Sequence, residues 1–202
     1  MNFSRAAMGQ LIGSALICFV ISSLALVGAA QGAEIEGVNL ADKVRLGDSG
    51  PELVLNGAGV RTRLFFKVYV GALYLPKKAS TSDAVLADGG PKRVAMHMLR
   101  DLGAEQLLAA LKDGLAANLS PDELARLEPQ VRQLEGIFGA VKAAKSGDVI
   151  LLDYAPGAGT RVIVRGEDKG TIAGEEFNRA LLWIWLGERP VDAALKKAML
   201  GG

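Results

Sequence analysis

The chain has 202 residues, half of them hydrophobic, with 23 Lys and Arg against 22 Asp and Glu. Such a balance, without a long basic run, removes the electrostatic case for a nucleic-acid partner. One cysteine and one histidine, Cys18 and His97, exclude a disulfide framework and a zinc site built on those residue types.

Residues 1–33 begin with a short polar stretch carrying Arg5, continue with an apolar run from about Leu11 to Val27 and end on the small residues of "GAAQGAE". This is the layout of a secretory signal peptide, and cleavage is expected near Ala30 to Ala33. The alternative is an uncleaved anchor, because the run approaches the ~18 residues that span a bilayer. In either case the positive end stays inside and the domain, residues 34–202, is exported, in a bacterial cell to the periplasm or envelope. The membrane is then met only through this segment, if it is uncleaved. Cys18 lies within it, so the mature chain has no thiolate chemistry. Removing Arg5 leaves 22 basic against 22 acidic residues. About 170 residues without disulfides form one domain held together by its core.

In chain order, "EIEGVNLADKVRLG" alternates weakly and predicts an opening strand or hairpin. "PELVLNGAGVR" supplies a short apolar run, a turn-prone Asn56-Gly57 and then Arg61. "LFFKVYVGALYL" has no polar face and reads as a strand covered on both sides, with Gly71 marking a bulge or a close approach by another group. "SDAVLADGG" predicts a brief helix and "KRVAMHML" a strand. "GAEQLLAALKDGLAANL" spaces leucines for one helical face and stops near Asn118. "SPDE" starts the next helix, with Ser120 as N-cap, Pro121 at the first position and Glu123 completing a capping box. Its apolar stripe runs on to Val141, although Pro129 should break or kink it. "GDVILLDYAPGAGTRVIVRGEDKGTIAG" reads as two strands around Pro156-Gly157, with a further turn near Asp168-Lys169-Gly170. "GEEFNRALLWIWLGERPVDAALKKAMLGG" gives a helix ending at Gly187 and another after Pro190. Strands, a helical block, a late hairpin and closing helices predict an α+β domain with helices covering an antiparallel sheet.

For chemistry, the Gly-x-Gly of "NGAGVR" precedes a strand, whereas a phosphate cradle needs a helix N-terminus, so nucleotide binding is rejected. His97 sits in an apolar strand with no cysteine or carboxylate at ligand spacing, and no Gly-x-Ser-x-Gly elbow accompanies it. Neither a metal nor a cofactor is expected. Trp183 and Trp185 fall on different helix faces, one for the core and one for a cleft or the surface. Arg61 is the residue of interest, because an inward-facing guanidinium needs an anion. That anion is either an internal carboxylate, such as Asp113 or Asp153, or a ligand; exposure at a strand end is the third possibility.

"LNGAGVR", "FFKVYVGALYLP" and the ending "EEFNRALLWIWLGERPVDAALKKAML" together resemble the chalcone isomerase-like family, in its exported bacterial branch, over essentially the whole mature chain. The resemblance implies an open-faced β-sandwich: a large antiparallel sheet, a layer of helices and a ligand cleft between them. The family includes plant enzymes that cyclise chalcones to flavanones, plastid members that bind fatty acids, and members with no known catalysis. It places on Arg61 the arginine that stabilises the substrate's developing enolate in the enzymes. The threonine that orders their catalytic water falls on Tyr69, the catalytic tyrosine on Gln106, its asparagine neighbour on Asp113, and a substrate-contacting threonine on Ile184, beside Trp185. The oxyanion partner is thus retained while most of the hydroxyl network, which positions phenol and water, is replaced.

The expectation that follows is an exported protein binding a small hydrophobic anion, fatty-acid-like, with Arg61 assisted by Tyr69 on the carboxylate. Gln106, Asp113, Ile184 and Trp185 are further candidates for the cleft. The alternatives are an isomerase, an intramolecular lyase acting on chalcone-like, polyphenol-like or other enone substrates with Arg61 as its catalytic residue, and a scaffold with a vestigial cleft.

Overall fold

The computed structural model describes residues 32–202. The signal-peptide reading of residues 1–33 lies outside them except for Gly32 and Ala33. β1 (Ala33–Ile35) and β2 (Val38–Leu40) form a separate small hairpin. The main strands are β3 (Lys43–Arg45), β4 (Glu52–Arg63), β5 (Phe66–Leu75), β6 (Lys92–Met98), and, after a helical block, β9 (Val149–Ala155), β10 (Gly159–Val164) and β11 (Glu167–Ile172). They make one curled antiparallel sheet in the order β11-β10-β9-β6-β5-β4-β3. Between β5 and β6 lies α1 (Ser82–Ala87). The block between β6 and β9 holds β7 (Leu102–Gly103), α2 (Ala104–Asn118), α3 (Pro121–Arg126), α4 (Glu128–Val141) and β8 (Ala143–Ala144). α5 (Glu175–Leu186) and α6 (Ala193–Met199) close the chain.

Alternation along β5 divides the core. Tyr69, Leu73 and Leu75 face the helices and join Met98, Leu111, Phe138, Phe177 and Trp185 in the larger cluster. Val70, Ala72 and Tyr74 face the other side, with Leu40, Leu46 and Leu53. The helix-covered sheet is the α+β, chalcone isomerase-type architecture predicted from the element order and the resemblance.

Several local expectations are met for the reasons given. Ser120 Oγ accepts from the Glu123 N–H, and the Glu123 carboxylate accepts from the Ser120 N–H at 2.8 Å. Pro129 sits in the first turn of α4, so the apolar stripe is interrupted at Leu127 and two helices form where one pattern runs through.

Three readings are corrected. Asn56-Gly57 makes no turn: β4 runs through it with a register shift, and the Asn56 side chain bonds Ala79 N–H, Ala79 C=O and Met199 C=O. The turn assigned near Asp168 lies at Arg165-Gly166, and residues 167–172 form a third strand of that region, with Lys169 left out of the register between Asp168 and Gly170. Finally, "LFFKVYVGALYL" is not covered throughout. Leu64, Phe65 and Phe66 are exposed, and burial begins at Val68.

Candidate functional site

The glycines before Arg61 make room for a helix. Gly57, Gly59 and Arg61 alternate toward the helix-covered face of β4. A Cβ on Gly57 would stand 2.1 Å from the Ala198 carbonyl oxygen, and one on Gly59 would stand 2.6 Å from Ala198 Cβ. Gly71 on β5 admits the Leu195 side chain in the same way, so the close approach read from the sequence is that of α6. The start of α6 is fixed by Asp192, which caps Ala194 and Leu195 through Oδ1 and accepts the Thr62 N–H on Oδ2 at 2.9 Å. Side chains at Gly57 or Gly59 would push α6 away; without them, Arg61 is the first residue of this row with a side chain.

Arg61 pairs across the ladder with Tyr69, and its guanidinium carbon lies 5.7 Å from the centroid of that ring. The Tyr69 hydroxyl accepts the Trp185 indole N–H at 2.8 Å, linking β5 to α5. Burial, partly opposed by Arg61 and the Trp185 hydrogen bond, pushes the Tyr69 phenol up to about 12. Arg61 is half-buried, yet its Nε is buried and has no hydrogen-bond partner among the described residues. Among the described residues no carboxylate lies within ion-pairing distance of it. Asp153, one of the internal acids considered, is committed to Arg93 at 2.5 and 2.6 Å and to Arg161 at 3.5 Å on the opposite face of the sheet.

In front of Arg61 lies a groove of about 240 Å³ between the end of β4, α2 and the α5–α6 loop. Its floor is small and apolar, from Ala110, Gly114, Ala117, Pro190 and Val191, while Arg61, Arg63, Arg189 and Asp113 supply three positive charges and one negative. Gly114 is required where α2 crosses α5, since a Cβ there would stand 2.8 Å from Ile184 Cγ2. None of the lining residues carries a hydroxyl.

The structure thus brings Arg61, Tyr69, Trp185 and Asp113 to one place. Ile184 and Trp185 are core residues beneath the groove, each about 1% exposed. Gln106 lies elsewhere: at the start of α2 its Oε1 accepts the Gly103 N–H, and it lines a separate depression with Gly139 and Lys142. The residues that sequence reasoning missed are Arg63, Arg189 and Asp192. Arg63 follows Arg61 by two, a spacing visible in "RTR"; Asp192 precedes an apolar helix as a cap should. The position of Arg189 depends on how the loop before Pro190 folds.

Trp183, the other tryptophan, is half-buried in a shallow depression with Leu119, Leu127 and Arg179. Burial lowers the pKa of His97, which sits on the outer face of β6 opposite Val70. Among the described residues no group of three or more His, Cys, Asp or Glu is placed to hold a metal ion.

No curated protein matches the chain. Among solved structures, the fold is similar to the crystal structure of a fatty-acid binding protein of Arabidopsis thaliana. That match has a TM-score of 0.56 at 15% identity and covers 78% of this chain and 95% of the other. The family model described as chalcone isomerase-like matches residues 32–201, so the chain belongs to the chalcone isomerase-like family.

Proposed function

We propose that this protein binds a small hydrophobic carboxylate, its head group on Arg61 and its apolar part along the groove floor of α2 and the α5–α6 loop. The observation that carries this reading is the buried Arg61 Nε with no hydrogen-bond partner among the described residues. A buried donor left unpaired costs free energy, and a carboxylate meets it with a charge-assisted, two-pronged hydrogen bond. Arg63 and Arg189 add positive potential at the rim, and the Tyr69 ring supports the guanidinium from beneath. A groove of about 240 Å³ is smaller than the ~300 Å³ at which drug-sized pockets begin. It holds the head group and the first methylenes; a longer tail lies along the surface or displaces α2, each buried methylene contributing about 0.8 kcal/mol. The similar Arabidopsis thaliana structure, that of a fatty-acid binding protein, is in keeping with this ligand class.

We place this activity outside the cytoplasm, on the signal-like residues 1–33; cell fractionation showing the protein in the cytoplasm would remove that part of the reading. Native mass spectrometry tests the binding itself. The wild-type protein should retain a fatty acid of medium chain length that Arg61→Met releases, and equal retention by the two would refute it. Catalysis on chalcones has no such support, because the groove offers Arg61 no hydroxyl partner among its lining residues. It would show as accelerated loss of chalcone absorbance.

A further inference from the structure

The apolar tip of the β4–β5 hairpin is the largest departure from ordinary surface chemistry in the described residues. Arg63 pairs with Phe66, so Leu64 and Phe65 form a two-residue loop. Such loops favour glycine, asparagine or aspartate because they need positive φ. Here the first loop position has φ 57° and is occupied by leucine. Leu64 is 82% exposed, Phe65 95% and Phe66 57%. Local folding preference and solubility both argue against these residues at this place, and among the described residues Leu64 and Phe65 stay almost wholly uncovered.

The surroundings identify the partner. Arg63 and Lys67 flank the tip, and the Arg100 guanidinium carbon stands 4.6 Å from the Phe66 ring centroid. The acids that contacts place by this collar are Glu36, which pairs with Lys67, Asp101, which pairs with Lys145, and Asp192, which accepts the N–H of Thr62 beside Arg63. Counting Arg63, Lys67, Arg100 and Lys145 against these three leaves the tip net positive by one charge. A convex point of three apolar side chains is too small for a specific protein interface, which buries on the order of 1,000 Å² or more. It is suited to entry among lipid head groups, with the basic collar on the phosphates. No helix among the described residues is long and apolar enough to cross a membrane.

We propose that the Leu64-Phe65-Phe66 tip docks this protein on an anionic lipid surface. The inference is independent of the ligand assigned to Arg61. It is tested on the full chain carrying Cys18→Ser and Phe65→Cys, with a nitroxide label on the new thiol, mixed with vesicles of phosphatidylcholine alone or of equal parts phosphatidylcholine and phosphatidylglycerol. A label at this site reports the tip itself, whatever the N-terminal residues do. The expected result is a label protected from aqueous relaxation agents and exposed to oxygen with the anionic vesicles. The inserted fraction should fall as salt rises and weaken roughly fivefold for each of Lys67→Gln and Arg100→Gln. A label that stays in water on anionic vesicles overturns the proposal. So does insertion indifferent to lipid charge, or label–label broadening that shows a second copy as the occupant.

Discussion

Arg93 and Arg61 project from opposite faces of one sheet and have opposite fates. Arg93 is held by the buried Asp153 carboxylate through two short hydrogen bonds, and the same carboxylate faces Arg161. Arg61 lies against an aromatic ring with a buried, unpaired Nε. This sheet therefore supplies an internal acid where a guanidinium serves structure alone. The contrast gives the unpaired arginine its meaning, because the ladder sets Asp153 beside Arg93 and Tyr69 beside Arg61.

Removing the anion from the satisfied site should have the largest effect. Asp153→Ala leaves Arg93 and Arg161 facing each other without a counter-charge and should cost about 3–5 kcal/mol in denaturant unfolding. Next is the support beneath Arg61. Trp185→Phe strands the buried Tyr69 hydroxyl and should cost about 1–3 kcal/mol, a loss that Tyr69→Phe in the same chain should partly reverse. Arg61→Met should differ from Asp153→Ala in kind: it removes an unpaired cation and should leave stability within about 1 kcal/mol of wild type or above it. A loss as large as that of Asp153→Ala would mean that Arg61 serves the fold. The smallest effect is alkaline. The Tyr69 phenol keeps its proton to about pH 12 in the fold and loses it near pH 10 when unfolded, so this group's contribution is intact below pH 10. It should fade as pH rises from there toward 12, and Tyr69→Phe should lose less stability over that window than wild type.

The architecture was legible because it rests on local chemistry: the Ser120 capping box, the apolar periodicity of α2 and the break at Pro129. Gly71 likewise announced a close approach, yet the helix that packs there arrives more than 120 residues later, which no local pattern reveals. Asn56-Gly57 misled for the same reason, since the dipeptide's turn preference yields to hydrogen bonds from Asn56 to Ala79 and Met199. The exposed tip was misread because an unbroken apolar run normally signals burial. At the site, Arg61 with Tyr69 was readable from the strand and the resemblance, whereas the place of Gln106 depends on the angle at which α2 crosses the sheet.

The most direct measurement is the pair of Nε–H signals of Arg61 and Arg93 in nitrogen-15 NMR, followed while dodecanoate is added. The account predicts that the Arg61 signal, assigned with Arg61→Met, moves while that of Arg93 stays in place. An Arg61 signal that stays fixed at saturating dodecanoate, or an Arg93 signal that moves as far, would contradict it.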